Sequence, residues 1–204
     1  MDPVEQRLRS AIRADPDDND ARRAYADWLL ERGDPYGELI AADLDGDDEL
    51  VTALYRRHSE HLVSKLPGEA SNLELARGMI CAFRTERRID DLLAPATVAE
   101  LLALAPVPVV RSRPGMDVIQ DILIRADGRV AAIVDCVERE LVIHRIEIIA
   151  LADRRVLATA EHAVTPPMPL WMLAHGLHTD LRFATDRDAL CYYLEGNHEL
   201  GFAP

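Results

Sequence analysis

Three histidines in the C-terminal part of the chain have the residue type and spacing from which metal sites are built. His175 and His178 are three positions apart, which places two imidazole rings on one side of a helix. His162 could add a third nitrogen ligand, and Glu161 or Asp180 an oxygen ligand. These residues indicate one alternative function, a metal-dependent hydrolase-like enzyme in which the ion activates water. Nothing in the spacing requires the ligands to converge, so we expect the histidines to lie apart.

Other patterns that would identify a reaction are absent from the sequence. It has no Gly-x-Ser-x-Gly nucleophile elbow, no glycine-rich phosphate loop and no dinucleotide-binding fingerprint. The acidic segment from Asp43 to Glu49 has its glycine at the wrong position for a calcium loop. We therefore expect no cofactor, and we favour a function without catalysis.

A second group of residues, near the N-terminus, has the character of a binding surface. Tyr25 and Trp28 belong to the apolar stripe of a predicted helix over residues 20–32, and Arg32 stands at its end. One interpretation places both aromatic rings in the core of a small helical cluster, with Trp28 largely buried. The other is a docking surface anchored by the aromatic edges and by Arg32. The candidate interaction residues are Tyr25, Asp27, Trp28, Arg32, Tyr36 and Glu38.

The elements that carry these residues follow from hydrophobic spacing and turn residues. Apolar residues at helical spacing predict four helices, over residues 4–14, 20–32, 35–44 and 50–66. After them we expect a strand over 73–84 that Gly78 interrupts. A capping box at Thr97 and Glu100 predicts the start of a further helix that runs to Ala105.

From residue 117 the apolar spacing changes to the two-residue period of strands. Segments 118–125 and 130–137 are joined through Asp127-Gly128, a strong signal for a two-residue hairpin turn with positive φ at the glycine. Two more strands, over 141–151 and 156–162, complete an antiparallel meander. The hairpin turn predicts three cross-strand pairs: Ile124 with Ala131, Ile122 with Ile133, and Gln120 with Asp135.

The predicted fold class is therefore α+β, with an N-terminal helical cluster packed beside an antiparallel β-meander and flanking helices. The helical region comprises residues 1–68. Residues 69–204 form an α+β region, with the meander at about 117–163 and C-terminal helices over 170–177 and 186–195.

The net charge of the chain indicates the class of partner, and its cysteine content indicates the cellular compartment. The 204 residues carry a formal net charge of −13, and residues 1–50 hold 15 acidic and 6 basic residues. Such a field repels nucleic-acid phosphates and anionic membranes, so we expect neither as a partner. It favours another protein with a basic surface. Three scattered cysteines and an N-terminus without a signal pattern predict a cytoplasmic protein.

A longer motif resembles a known bacterial family. It comprises Ala24–Pro35 (AYADWLLERGDP), Gly37–Ile40 (GELI) and the upstream stretch Ile12–Asp18 (IRADPDD). These residues resemble the repeat-companion domain, firmly over about residues 5–45 and loosely to about 113. The family is uncharacterised in function, and the resemblance implies an N-terminal module attached to other parts, often leucine-rich repeats. Here Tyr36 stands where the family commonly has arginine, and a predicted meander takes the place of the repeats.

These observations leave several functions open. The segments Asp15–Asp17 and Leu29–Asp34 also resemble one tetratricopeptide unit, but no second copy follows at the 34-residue period of such repeats. The preferred function is a non-catalytic, cytoplasmic protein-interaction or regulatory module. The first alternative is the metal-dependent enzyme built on His162, His175 and His178. A further alternative is an acidic immunity or antitoxin-like protein that covers a basic partner.

Overall fold

The described part of the chain combines helices with mostly antiparallel sheets. The structure is a computed structural model that describes residues 2–15, 17–68, 70–113, 119–138, 142–164, 181–184, 186–193 and 197–203. The six helices within these ranges are α1 (Pro3–Ala14), α2 (Asn19–Leu30), α3 (Tyr36–Leu44), α4 (Asp48–Ser64), α5 (Ile89–Leu92) and α6 (Pro95–Leu102). The strands are β1 (Ala70–Ala76), β2 (Met79–Thr85), β3 (Val109–Ser112), β4 (Ile119–Ile124), β5 (Val130–Glu138), β6 (Val142–Ala150), β7 (Val156–Val164), β8 (Arg182–Phe183), β9 (Ala189–Tyr193) and β10 (Asn197–Gly201). The predicted α+β class is confirmed.

Two sheets and two compact units organise these elements. A seven-stranded sheet follows the chain order from β1 to β7, and a three-stranded sheet has the order β10-β9-β8. The first unit comprises Met1–Phe83 and Glu100–Pro108, and the second comprises Arg84–Ala99 and Val109–Pro204. The four N-terminal helices belong to the first unit and the meander to the second. No helix in the described ranges is both long enough and apolar enough to cross a membrane.

The four N-terminal helices form where the sequence predicts them, each within two residues of the expected bounds. The carboxylates of Asp2, Asp18 and Asp47 accept hydrogen bonds from the first free backbone N–H groups of α1, α2 and α4. Such caps stabilise a helix start by about 1 kcal/mol. The apolar stripes of the helices meet in a core in which Ile12 and Ile40 are fully buried.

Gly78 does not interrupt one strand but turns the chain between two. Arg77 and Gly78 have positive φ angles of 53° and 70°, the left-handed backbone that reverses a chain in a two-residue turn. The single strand predicted over residues 73–84 is therefore wrong, and β1 and β2 are separate neighbours in the sheet. A β-carbon on Gly78 would lie 2.7 Å from Cα of Ile40. The turn thus packs against the backbone of α3 at a distance that only glycine permits.

Helix α6 begins at Pro95, two residues before the predicted capping box. Proline suits the first position of a helix because a backbone N–H group at that position would have no acceptor within the helix. The hydroxyl of Thr97 accepts a hydrogen bond of 3.3 Å from Nη2 of Arg87 instead of capping the helix.

The meander is confirmed, and its first hairpin has the predicted register. The observed pairs include Ile124 with Ala131, Ile122 with Ile133, and Gln120 with Asp135. Gly128 has the expected positive φ of 70°, but the turn contains the four residues 126–129 instead of two. The N–H of Arg125 donates to the carbonyl of Val130 at 3.0 Å, and the carboxylate of Asp127 binds Arg125 at 2.6 Å. These contacts stabilise the wider turn without shifting the strands.

The C-terminal segment forms strands where helix was predicted. Over residues 186–195 the helix prediction is wrong in the described part, because β9 pairs antiparallel with β8 and β10. Leu190 and Tyr192 are buried and alternate with the partly exposed Cys191. This alternation and the aromatic content favour a strand once a pairing partner is present. The helix predicted over 170–177 lies outside the described residues.

Candidate interaction site

A cavity of about 500 Å³ opens in the first unit beside two of the predicted tyrosines. Tyr25 of α2 and Tyr36 of α3 line it, together with Arg9 of α1. Ile80 of β2 also contributes, and the segments 65–68 and 100–106 complete the wall. The cavity is therefore built from elements that are far apart in the sequence.

Two arginines of α1 hold one side of this wall in place. Arg9 donates a hydrogen bond to the carbonyl of Ala103. Arg13 donates to the carbonyls of Leu102, at 2.7 Å, and Leu104, at 3.3 Å. Carbonyls at the end of a helix have no partner within the helix, and cationic side chains near them are favourable. The segment after α6 is thereby attached to α1.

The two tyrosines contribute buried rings with hydroxyl groups. Oη of Tyr36 accepts a 2.9 Å hydrogen bond from the backbone N–H of Ile80. Burial raises the pKa of the Tyr36 phenol far above its ordinary value, and this hydrogen bond opposes the effect only in part. Burial likewise raises the pKa of Tyr25. Both side chains therefore stay protonated at neutral pH and cannot act there as bases.

The two cations of the cavity are each bound to a carboxylate. Nη2 of Arg9 lies 2.5 Å from Oε1 of Glu5, and Nζ of Lys65 lies 2.5 Å from Oδ2 of Asp34. Nε2 of His61 is 2.9 Å from the other oxygen of Asp34. Burial raises the pKa of Asp34, but hydrogen bonds from Lys65, from the backbone and from His61 outweigh it, so the pKa is lowered overall. Asp34 is thus ionised and balances the charge of Lys65.

Trp28 lies beside Tyr25 on α2 and is covered by a cation. The ring centroids of Trp28 and Tyr25 are 6.1 Å apart, with the planes inclined by 15°. Cζ of Arg32 lies 3.9 Å from the Trp28 ring centroid, a cation–π contact, and Nη2 of Arg32 lies 3.0 Å from a carboxylate oxygen of Asp2. Trp28 is partly exposed instead of largely buried as predicted, because one face of its ring is covered by the exposed side chain of Arg32.

The structure brings four of the six predicted interaction residues together. Tyr25 contacts Trp28, Trp28 contacts Arg32, and Tyr36 lines the same cavity as Tyr25. The remaining two, Asp27 and Glu38, are exposed. In the part of the chain that the structure describes, no hydrogen bond or ion pair joins their side chains to the other four residues.

The three charged residues of the cavity wall were not predicted from the sequence: Arg9, Lys65 and Glu100. Each comes from a different segment, and their proximity depends on the packing of α1, the end of α4 and the segment from Glu100 to Pro106. No local spacing carries that information. Lys65 is the only lysine of the chain, a feature that singles it out in composition but does not predict its contact with Asp34.

His162 has partners other than the proposed metal ligands. Its Nε2 is 2.6 Å from Oη of Tyr192, and its ring centroid is 4.7 Å from that of His198. Tyr192 and His198 also line a second cavity, of about 510 Å³, in the second unit. His175, His178 and Asp180 lie outside the described residues, and Glu161 is exposed, 4.0 Å from Arg145. Among the residues that the structure describes, no three histidine, cysteine or acidic side chains are placed to hold a metal ion.

Comparison with models of protein families, with characterised proteins and with solved structures yields no match to this chain. The site is therefore interpreted from its own geometry.

Proposed function

We propose that this protein is a non-catalytic, cytoplasmic protein-interaction or regulatory module that binds another protein through its first unit. The docking region comprises the 500 Å³ cavity and the adjoining stack of Tyr25, Trp28 and Arg32. In this proposal, residues 5–45 are a module of the repeat-companion type.

The observation that carries the proposal is the continuity of the cavity with the aromatic stack. Tyr25 belongs to both, because it lines the cavity and its ring lies beside that of Trp28. Aromatic and arginine side chains at the rim of a cavity are the residue types that dominate binding energy in protein interfaces. The partly exposed indole and the guanidinium above it are available for such contacts without unfolding the helix.

The surface charge of this unit supports a partner with basic groups. Asp27, Glu31 and Glu38 are exposed on α2, at its end and on α3. Leu30 is also 40% exposed between the first two. An exposed apolar side chain among carboxylates suits a partner surface that combines basic and apolar residues. The acidic immunity or antitoxin-like protein is a special case of this proposal, in which the basic partner is a toxin.

Partner capture with charge-reversed variants tests the proposal. The double variant Asp27→Lys, Arg32→Glu reverses two exposed charges of the docking region and leaves the net charge unchanged. The matched control, Asp153→Lys with Arg155→Glu, makes the same changes at the exposed turn between β6 and β7. We expect the wild type and the control to capture the same proteins from the native cytoplasm. The docking-region variant should no longer bind them. Identical retention by all three proteins, with unchanged circular dichroism, would contradict the proposal.

A further inference from the structure

We infer that the cavity of the first unit is a receptor site for one uncharged carboxamide side chain, a glutamine or an asparagine, of the partner protein. This inference rests on the proposed function and specifies the chemistry that the cavity recognises. It follows from buried hydrogen-bond donors of the wall that have no acceptor, from the balance of charge around the cavity, and from the apolar part of its lining.

Three hydrogen-bond donors on the buried wall have no acceptor among the residues that the structure describes. Tyr36 accepts a bond from Ile80, but its own hydroxyl hydrogen has no acceptor, and neither has that of Tyr25. Nε of Arg9 is buried and makes no hydrogen bond either. Tyr36 is 6% and Tyr25 3% exposed, and both stay protonated because burial raises their pKa values. Buried donors in folded proteins almost always have an acceptor, so these three favour an occupant that supplies one.

Three backbone carbonyls at the same wall are already used. The carbonyl of Ala103 accepts a bond from Arg9. Arg13 donates to the carbonyls of Leu102, at 2.7 Å, and Leu104, at 3.3 Å. The acceptor for the tyrosine hydroxyls therefore has to come from an occupant. Because both tyrosines are buried, a side chain reaches them more readily than the main chain of a folded partner does.

The charges around the cavity balance, which favours an uncharged occupant. The residues at or beside the cavity comprise three cations and three carboxylates: Arg9, Arg13, Lys65, Glu5, Asp34 and Glu100. An entering carboxylate or cation would leave this partly enclosed site with a net charge, and an unbalanced charge that is removed from water is costly. A neutral carbonyl oxygen accepts the same hydrogen bonds without that cost.

A carboxamide side chain also suits the rest of the lining. Leu66, Pro67, Leu104 and Pro106 provide apolar surface for its methylene groups. Its oxygen accepts bonds from the wall donors, while its NH₂ group can donate to the carboxylate of Glu100, which lines the cavity and is exposed. The volume of about 500 Å³ leaves room for such a side chain. Basic residues of the partner would contact the exposed carboxylates of α2 and α3 outside the cavity.

Titration with three blocked amino acids of similar length tests the inference. The probes are the N-acetyl methylamides of glutamine, glutamate and methionine, each followed by amide chemical shifts of the full chain at physiological salt. All three share one backbone, so any difference between them reports the side chain. We expect the glutamine probe to shift the amides of Gly68, Ile80 and Ala103. It should bind about three- to tenfold more tightly than the methionine probe, which lacks a strong acceptor, and more tightly than the glutamate probe.

A variant of Tyr25 gives the decisive comparison. Tyr25→Phe removes one wall donor and keeps the ring, so it should weaken binding of the glutamine probe about two- to tenfold. Binding of the methionine probe should not change. Tyr55→Phe is the matched control, because the Tyr55 hydroxyl contacts the Leu73 carbonyl and does not line the cavity. Circular dichroism checks that both variants fold.

Four outcomes would each overturn the inference. They are equal binding of the glutamine and methionine probes, tighter binding of the glutamate probe, wild-type affinity for the glutamine probe in Tyr25→Phe, and no shift of the cavity amides with any probe. The titrations also separate this inference from the proposed function. If the glutamine probe fails to bind while Asp27→Lys, Arg32→Glu loses its partner proteins, the docking region is correct and only the carboxamide inference fails. If that double variant loses no partner, the proposed function itself fails.

Discussion

Oη of Tyr36 accepts a 2.9 Å hydrogen bond from the backbone N–H of Ile80, and this bond joins α3 to β2 inside the first unit. Both residues are buried, at 6% exposure each, so solvent has little access to replace the bond. The guanidinium of an arginine has only donors and could not accept this hydrogen bond. A tyrosine at this position therefore has a structural role that an arginine could not fill.

Removing the Tyr36 hydroxyl tests that role. Tyr36→Phe should lower the free energy of unfolding by about 1–3 kcal/mol, because a buried N–H group is left without an acceptor. Urea denaturation followed by circular dichroism measures the change. Tyr55→Phe is the control, since Oη of Tyr55 makes only a 3.4 Å contact with the Leu73 carbonyl in a partly exposed place. It should change stability by about 0.5 kcal/mol or less. Equal losses in both variants would contradict the role assigned to the buried bond.

Two glycines have the same left-handed backbone conformation but differ in how closely other atoms approach them. Replacing each by alanine therefore distinguishes the cost of backbone strain from the cost of steric contact. Gly46 and Gly78 have φ angles of 75° and 70°. A β-carbon on Gly46 would meet no atom within 4 Å, whereas one on Gly78 would lie 2.7 Å from Cα of Ile40. Gly46→Ala should therefore cost about 1–2 kcal/mol from the left-handed backbone alone. Gly78→Ala should cost about 1–3 kcal/mol more, because α3 or the turn must move. If the two variants melt at the same temperature, the turn at Gly78 is not packed closely against α3.

Arg111 and Asp121 form a buried ion pair between β3 and β4. Nε of Arg111 lies 3.0 Å from Oδ1 of Asp121, and the side chains are 9% and 2% exposed. Asp121→Asn should lower the free energy of unfolding by about 3–5 kcal/mol, because it removes the carboxylate charge that lies 3.0 Å from the buried guanidinium. Chemical denaturation measures the loss. Glu199→Gln, which breaks the exposed pair with Arg187, should have a much smaller effect. A comparable loss of unfolding free energy in both variants would show that burial of an ion pair does not determine the cost of breaking it.

His162 should make stability depend on pH. Burial, and in second place the charge of His198, lowers the pKa of His162 below its ordinary value of 6.5. The unfolded chain therefore binds a proton more readily than the folded one, and acidification favours unfolding. The stabilising contribution is complete above pH 6.5 and is lost as the pH falls below that value. We expect the melting temperature to fall between about pH 7.5 and about pH 5.5 by less in His162→Gln than in the wild type. If the melting temperature falls equally in both proteins, groups other than His162 cause the pH dependence.

Replacing Trp28 by alanine should lower the free energy of unfolding by less than replacing a fully buried tryptophan would. Complete burial would predict a loss of about 3–5 kcal/mol for Trp28→Ala, but the ring is partly exposed and one face is covered only by Arg32. We therefore expect a loss of about 1–3 kcal/mol in a urea titration. Arg32→Gln removes the cation–π contact together with the exposed ion pair to Asp2 and should cost about 1 kcal/mol. A loss above the expected range for Trp28→Ala would return this residue to the core and weaken its assignment to the docking region.

Local interactions account for what the sequence by itself determined. The four N-terminal helices depend on apolar residues three or four positions apart and on aspartate caps within three residues of the groups they bind. The register of β4 and β5 depends on a turn and on the alternation of side chains next to it. In each case the interacting groups are neighbours in the sequence, so their spacing alone predicted each element, with its bounds to within two residues.

Only the tertiary structure decided the composition of the candidate site and the conformation of the C-terminal segment. Arg9, Lys65 and Glu100 meet at one cavity because α1, the end of α4 and the segment from Glu100 to Pro106 pack together, and no spacing in the sequence records that packing. Residues 189–193 form a strand because 197–201 lie beside them and supply the ladder hydrogen bonds. Such pairing decides between helix and strand where local preferences are balanced, since pairing and burial outweigh the small intrinsic propensity differences.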